Sequence, residues 1–226
     1  SCYQKLGKYE TAKKNFQQVL VSDPNNLAAM NNLATTHKDT MEFTKSEDYF
    51  KKILKIDSTY VMALTNYANL KFQLDQQNEA IDLYNRAIAL DSKSENIHYN
   101  MGLTYQSYGN FEKAKYHFDE MLKINPNATM ADRLISRFTK YKKQDKHLQA
   151  MLKKNENKNL NDISKINLYF ALGKAQEDVK NFNESFKFIK SANDLTNTKF
   201  HYDKKSDDKF IQDLIKFFDK INLNKL

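Results

Sequence analysis

The sequence predicts an all-α fold in which antiparallel helix pairs stack into a right-handed superhelix. Helix breakers are scarce: 226 residues contain only four glycines and two prolines, too few to turn the many short strands of an all-β domain. Apolar residues make up 40% of the chain and recur three and four apart between Lys, Asp, Asn and Gln, the spacing of a one-sided helix. The chain is also self-similar at a period of 34 residues, and a fixed period of that length marks a repeat array.

At that period one column reads Ala12, Ser46, Ala80, Ala114, and four residues further on another reads Phe16, Phe50, Tyr84, Phe118. Positions four apart share a helix face, so the small side chain lets two helices approach and the ring fills the space one turn along. Val19, Ile53, Ala87, Met121 and Leu20, Leu54, Ile88, Leu122 complete the apolar stripe. A turn column of Pro24, Ser58, Ser92 and Pro126, preceded by Asp23, Asp57, Asp91 and Asn125, stops one helix and starts the next. No single pair buries its stripe alone, so neighbours must stack. The columns give a partial repeat at 1–24 and repeats at 25–58, 59–92 and 93–126. Ser1 aligns with the middle of a first helix, so the sequence reads as a piece of a longer chain.

Beyond Pro126 the period is expected to break. Residues 127–142 read as a helix with Met130, Leu134, Phe138 and Tyr141 on one stripe, followed by a short helix around 147–154 and an Asn/Lys-rich loop at 155–161, so that 127–160 is a degenerate basic segment. Asn161 or Asp162 can cap the next helix. That helix, with Leu168, Leu172 and Gly173, and its partner, with Phe182, Ser185 and Ile189, form a divergent pair over 161–198. A linker at 196–206 then leads to a helix at about 207–220 with Phe210, Leu214, Phe217 and Phe218 on its apolar side, so 199–226 holds linker and C-terminal helix.

The columns resemble those of the tetratricopeptide repeat. Gly7, Tyr9, Ala12 and Gly109, Phe111, Ala114 follow its G-x-Y-x-x-A pattern, and Met101-Gly102-Leu103-Thr104-Tyr105 is similar to its L-G-x-x-Y. The resemblance implies Gly102 and Gly173 where helices touch and Gly7 and Gly109 in turns between helices. It covers 1–126 and returns at about 161–195. It also implies a concave surface lined by the first helix of each pair.

Three stretches carry a second resemblance: Leu134–Tyr141, Leu168–Asp178 and Phe200-His201-Tyr202-Asp203. They are similar to the region just upstream of the catalytic domain in bacterial tetratricopeptide-repeat sulfotransferases. The resemblance implies a parent enzyme whose C-terminal catalytic domain lies outside this sequence. The G-x-P-R-S-G-T loop that would cradle the phosphosulfate at a helix start is absent here, because after Gly109 the only glycine is Gly173. This chain is therefore expected to be no enzyme and to need no cofactor.

The candidate binding residues lie on the first helices. Asn32, Asn66 and Asn100 recur at the repeat period. A carboxamide offers two donors and an acceptor, so such a column can pair with a peptide backbone whatever its side chains. It resembles the asparagine ladder in the repeat region of O-linked N-acetylglucosamine transferases, where it grips extended polypeptide. Asn31, Thr35, Thr65, Asn69, Tyr99 and Leu103 flank it. The carboxylate-clamp mode of the family needs Lys or Arg at positions held here by Ala28, Asn31, Met62, Thr65, Asn96 and Tyr99, so it is not expected. The expected partner is a protein or peptide in the concave groove.

The net charge is +8, and residues 133–158 alone hold nine basic against two acidic side chains. Arg133, Arg137, Lys140, Lys142 and Lys143 are thus candidates for an anion, with a polyanion the alternative partner. No nucleic-acid motif accompanies them, and nucleic acid is not the expected partner. The histidines 37, 98, 117, 147 and 201 show no metal-ligand spacing to one another or to Cys2, and none pairs with another histidine in sequence. No metal is expected. No apolar run reaches the length of a membrane span, and a cytoplasmic location is the expectation.

Overall fold

A computed structural model describes residues 8–199, 208–209 and 211–215. Cys2, Gly7, residues 200–206, Phe210, Phe217 and Phe218 lie outside the described residues. The helices are α1 (Tyr9–Ser22), α2 (Leu27–Asp39), α3 (Phe43–Ile56), α4 (Val61–Gln73), α5 (Gln77–Leu90), α6 (Glu95–Ser107), α7 (Phe111–Ile124), α8 (Thr129–Ser136), α9 (Lys146–Asn155), α10 (Asp162–Asp178) and α11 (Phe182–Lys199). No strand occurs among the described residues. The chain divides into two compact units, Ser1–Phe138 and Thr139–Leu226, a boundary that falls inside the segment 127–160.

In the first unit α2 pairs with α3, α4 with α5 and α6 with α7, while α1 packs on α2 and α8 on α7. Each second helix begins 34 residues after the last, at Tyr9, Phe43, Gln77 and Phe111. The first helices do the same at Leu27, Val61, Glu95 and Thr129. The period therefore does not break at Pro126: the Asn125–Pro126 turn launches α8 in register. It breaks at Ser136, where α8 ends six residues short of the expected 142.

The repeat columns do what their residue types dictate. Ala12, Ser46, Ala80, Ala114, Phe50, Tyr84 and Phe118 are buried, and a side chain on Gly102 would meet the Phe118 ring at 2.3 Å. In the first pair the stripe is less covered, with Phe16 half-buried and Val19 exposed. Every turn inside a pair has one form. Met41, Asp75, Gly109 and Lys180 adopt positive φ of 58 to 76°, and the next N–H donates to a carbonyl five residues back, Glu42 to His37, Gln76 to Lys71, Asn110 to Tyr105 and Asn181 to Gln176. This left-handed helix end closes orphan carbonyls, and three of its four occupants are not glycine. Between pairs, Asp23, Asp57, Asp91 and Asn125 end the second helices with an N–H to the carbonyl four residues back.

The second unit holds α9 and the pair α10–α11, whose core is Tyr141, Leu148, Met151, Leu168, Ala171, Leu172 and Ala175. Asn161, not Asp162, caps α10 through the Ser164 N–H at 2.9 Å. Gly173 and Ile189 make the expected close contact, with 2.6 Å left for a side chain on Gly173. Tyr141 does not continue the α8 stripe. The Asp178 carboxylate accepts from the Tyr141 N–H at 3.0 Å and from Lys140 at 2.9 Å, and Lys174 donates to the Thr139 carbonyl at 2.9 Å. These side chains satisfy backbone groups that a longer helix would have used. The expected linker also starts late, because α11 runs through 196–199. Residues 208–209 and 211–215 are helical, with Ile211, Leu214 and Ile215 exposed.

One member of the small-residue column is flawed. The Ser46 hydroxyl is fully buried and has no hydrogen-bond partner, whereas the Ser185 hydroxyl at the matching place in α11 donates to the Gly173 carbonyl at 2.8 Å. An unmet buried hydroxyl carries its desolvation cost uncompensated. Ser46→Ala is therefore expected to stabilise the fold by about 1 kcal/mol and Ser185→Ala to lose about 1 kcal/mol. Urea denaturation of the two variants measures both signs.

Candidate functional site

The first helices α2, α4 and α6 carry Asn32, Asn66 and Asn100 at one register, and all three side chains are half-buried. They are not equivalent. Asn66 Nδ2 donates to Asn31 Oδ1 at 3.1 Å, which ties α4 to α2. Asn100 Nδ2 donates to Asn96 Oδ1 at 3.3 Å along its own helix. The Asn32 carbonyl accepts the Thr36 hydroxyl at 2.7 Å. Each side-chain bond uses one amide donor, so Asn66 and Asn100 keep a second donor and an acceptor oxygen for a ligand.

The flanking candidates divide by burial. Asn31 is 2% exposed and Thr65 3%, so both are buried, and of the two only Thr65 reaches an open edge. The column spacing placed them correctly on the helices but could not say how closely α2 and α4 pack. Thr35 and Thr65 donate to the Asn31 and Val61 carbonyls at 2.9 Å, which spends their hydroxyl protons on their own helices. Asn69 turns to the second helix of its pair and accepts the Tyr84 hydroxyl. Tyr99 and Leu103 are half-buried and pack against the core.

What remains open is a cleft between α4 and α6 of about 220 Å³, lined by Val61, Met62, Thr65, Asn66, Asp91, Ser94, Asn96 and Ile97. No basic side chain lines it. Met62, 55% exposed, and Asn96 belong to it although the sequence offered them only as vacant clamp positions. Their common signal was a shared column with Ala28 and Met130, all four exposed.

The basic candidates fall in both units. Arg133 and Arg137 lie in the first unit, and Lys140, Lys142 and Lys143 in the second. The Arg133 guanidinium is half-buried, and burial together with the nearby Arg137 pulls its pKa down. Lys140 is held by Asp178.

Two histidines that the sequence left apart meet in space. His98 on α6 and His117 on α7 face each other with Nδ1 atoms 3.0 Å apart, both buried. Nineteen residues separate them, and the tight α6–α7 turn folds that separation into contact. Burial, reinforced by His98, pushes the His117 pKa down to about 4. His98 also lines a cavity of about 610 Å³ with Ile88, Ser92, Lys93, Tyr116, Glu120, Lys123 and Ile124. No group of three His, Cys, Asp or Glu side chains is placed to hold a metal ion among the described residues.

The fold and its period define a class, an all-α array of helix pairs stacked at a 34-residue repeat. Models of the tetratricopeptide repeat match residues 1–26 and 96–128, and a TPR repeat model matches 68–109. Among curated proteins, a TPR repeat-containing protein of Methanocaldococcus jannaschii is 23% identical over 84% of this chain and 29% of its own length. The general transcriptional corepressor trfA of Dictyostelium discoideum is 22% identical over 53% of this chain and 9% of its own length. The chain thus spans less than a third of either relative. Of solved structures, Pseudomonas aeruginosa pilF superposes with a TM-score of 0.63 at 19% identity, over 93% of this chain and 92% of that one. YrrB, described as a TPR protein with an unusual peptide-binding site, gives 0.56 at 15% identity over 82% and 93%. At these identities the likeness is one of fold. No helix among the described residues is long and apolar enough to cross a membrane.

The wall of α4 is fixed from behind by a carboxylate. Glu47 accepts from Lys51 at 2.8 Å, Tyr67 at 2.8 Å and Lys71 at 3.1 Å. Burial alone would raise its pKa, but these three donors outweigh burial and hold it at about 2, below the ordinary 4.5. A depressed carboxylate contributes stability that is complete above pH 4.5 and is lost as the pH falls toward 2. Urea midpoints measured across that window should fall less steeply for Glu47→Gln than for the wild type, with the variant already less stable at pH 7.

Proposed function

We propose that this chain is a protein-interaction scaffold whose first helices hold an extended polypeptide. The observation that carries the reading is the register of Asn32, Asn66 and Asn100 on successive first helices, half-buried, with unspent hydrogen-bonding capacity on Asn66 and Asn100 beside an open cleft. Amides that pair with a peptide backbone recognise extension and leave sequence loosely read. Met62 and Ile97 add an apolar floor to the cleft, and an unbranched thioether adapts to varied side chains. A peptide-binding site in YrrB, which shares the fold, supports the same use of it here.

A more specific reading places the array beside a sulfotransferase domain, with the groove presenting substrate to it. Only the resemblance of 134–141, 168–178 and 200–203 to the segment upstream of such domains supports it. Coding sequence beyond Leu226 that contained a strand followed by G-x-P-R-S-G-T would bear this reading out, and a continuation without that loop would remove it.

Peptides selected from a random phage-displayed library against the full chain, then measured by fluorescence anisotropy, test the groove. The triple variant Asn32→Ala, Asn66→Ala, Asn100→Ala should keep the helical circular dichroism and weaken binding at least tenfold, about 1.4 kcal/mol. Affinity equal to the wild type would show that the amide column is not the contact.

A further inference from the structure

Beside the turn between α10 and α11 lies an open cavity of about 430 Å³ that the groove does not use. All of its lining residues belong to the second unit. We infer that it binds a small organic carboxylate with an apolar body, held by Lys143, Lys180 and the Gln176 carboxamide.

The state of Gln176 is what points to a ligand. It is only 7% exposed and lines the cavity, yet its side chain makes no hydrogen bond among the described residues. Buried carboxamides nearly always have a partner, and one without calls for an explanation. The matching place in the first unit shows what is missing. Lys71 and Gln176 each accept, on their carbonyls, the N–H of the residue five on, Gln76 and Asn181. Lys71 also donates to the Gln76 side chain at 2.9 Å and to Glu79 at 2.8 Å. Asn181 and Glu184 hold those two places beside Gln176. Neither bonds to it among the described residues, and Glu184 is taken by Lys187 at 2.6 Å. The amide is left to a partner from outside the chain.

The lining sets the charge of that partner. Lys143 and Lys180 line the cavity and no carboxylate does. Neither lysine has an ion-pair partner among the described residues. Of the basic residues that the sequence offered for an anion, Lys143 alone lies here. Gln149 Nε2 donates to the Lys143 carbonyl at 3.1 Å and fixes its backbone. Lys180 keeps its side chain at a φ of 63°, a conformation that suits glycine. Helix α11 starts just beyond Asn181 and turns its positive end to the same side of the chain.

The apolar part of the lining sets the body of the ligand. Leu148, Leu152 and Val179 complete the wall. A phosphate ion, hydrated on every side, gains nothing from them. A carboxylate on an alkyl chain meets the two ammonium groups and Gln176 Nε2 with its oxygens and the leucines with its carbons. Small-molecule sites of about 300–1,000 Å³ combine an apolar wall with a few polar groups in this way.

Titration of the isotope-labelled full chain with sodium hexanoate, followed through the side-chain amide signals of Gln176 and Asn181, tests the site. Those signals should move saturably with hexanoate. Hexanamide, which lacks the charge, and inorganic phosphate, which lacks the body, should not saturate them. Lys143→Ala and Lys180→Gly should each weaken binding at least about tenfold, the worth of a hydrogen bond to a charged group. Lys180→Gly also suits the turn, so its helical circular dichroism should match the wild type. Lys142→Ala removes the same charge from an exposed neighbour that does not line the cavity, and should change affinity by less than about twofold. Gln176→Glu sets a carboxylate of the chain itself beside both lysines and should abolish binding. A pentapeptide ending in leucine with a free carboxylate, titrated beside hexanoate, tells a chain end from a free acid as the source, and saturation by either supports the site. No saturable shift with either, binding of hexanamide or phosphate as tight as hexanoate, or a loss at Lys142→Ala as large as at Lys143→Ala would each overturn it.

Discussion

The fold depends on one constraint, the close approach of two antiparallel helices at a small side chain under an aromatic ring. Ala80 beneath Tyr84 and Ala114 beneath Phe118 set the distance within a pair, and Gly102 removes the last atom that would resist it. Once that distance is fixed, the chain between the two helices has little freedom. Each intra-pair turn closes with the same left-handed residue and the same five-back hydrogen bond. Left-handed backbone costs a residue with a side chain roughly 1–2 kcal/mol, yet Met41, Asp75 and Lys180 accept it. Packing, not local preference, dictates the turn.

The proposed function follows from the same constraint. Stacking pairs at a constant offset brings one position of every first helix to one side, so three unremarkable asparagines become a column. The pairing that aligns them also sets limits. Asn31 is near enough to bond Asn66, and that contact stiffens the wall while it spends one donor. The ionic hub on Glu47 lies behind the same wall, joining α3 to Tyr67 and Lys71 on α4. The proposed groove is thus a polar surface with a small cleft that mixes polar and apolar side chains.

Much of this was legible in the sequence because the period is a long-range signal written four times. The helix pairs, the buried small-residue column and the touching glycines could all be read from spacing. What could not be read depends on distances between elements. Burial of Asn31 and Thr65 follows from how near α2 and α4 lie. The hold of Asp178 and Lys174 on the backbone at 139–141, more than thirty residues away in sequence, is likewise a matter of distance in space. The His98–His117 contact needs the register of an antiparallel hairpin, which spacing along one helix does not give.

The central claim is that ligand lies along the first helices of the first unit. Amide chemical-shift mapping of the isotope-labelled full chain with a selected peptide tests it most directly. The account predicts perturbations concentrated at Asn32, Met62, Asn66, Asn96 and Asn100, with α3, α5 and α7 little affected. Perturbations centred on the second helices, or on Ser92, Lys93 and Tyr116, would contradict it.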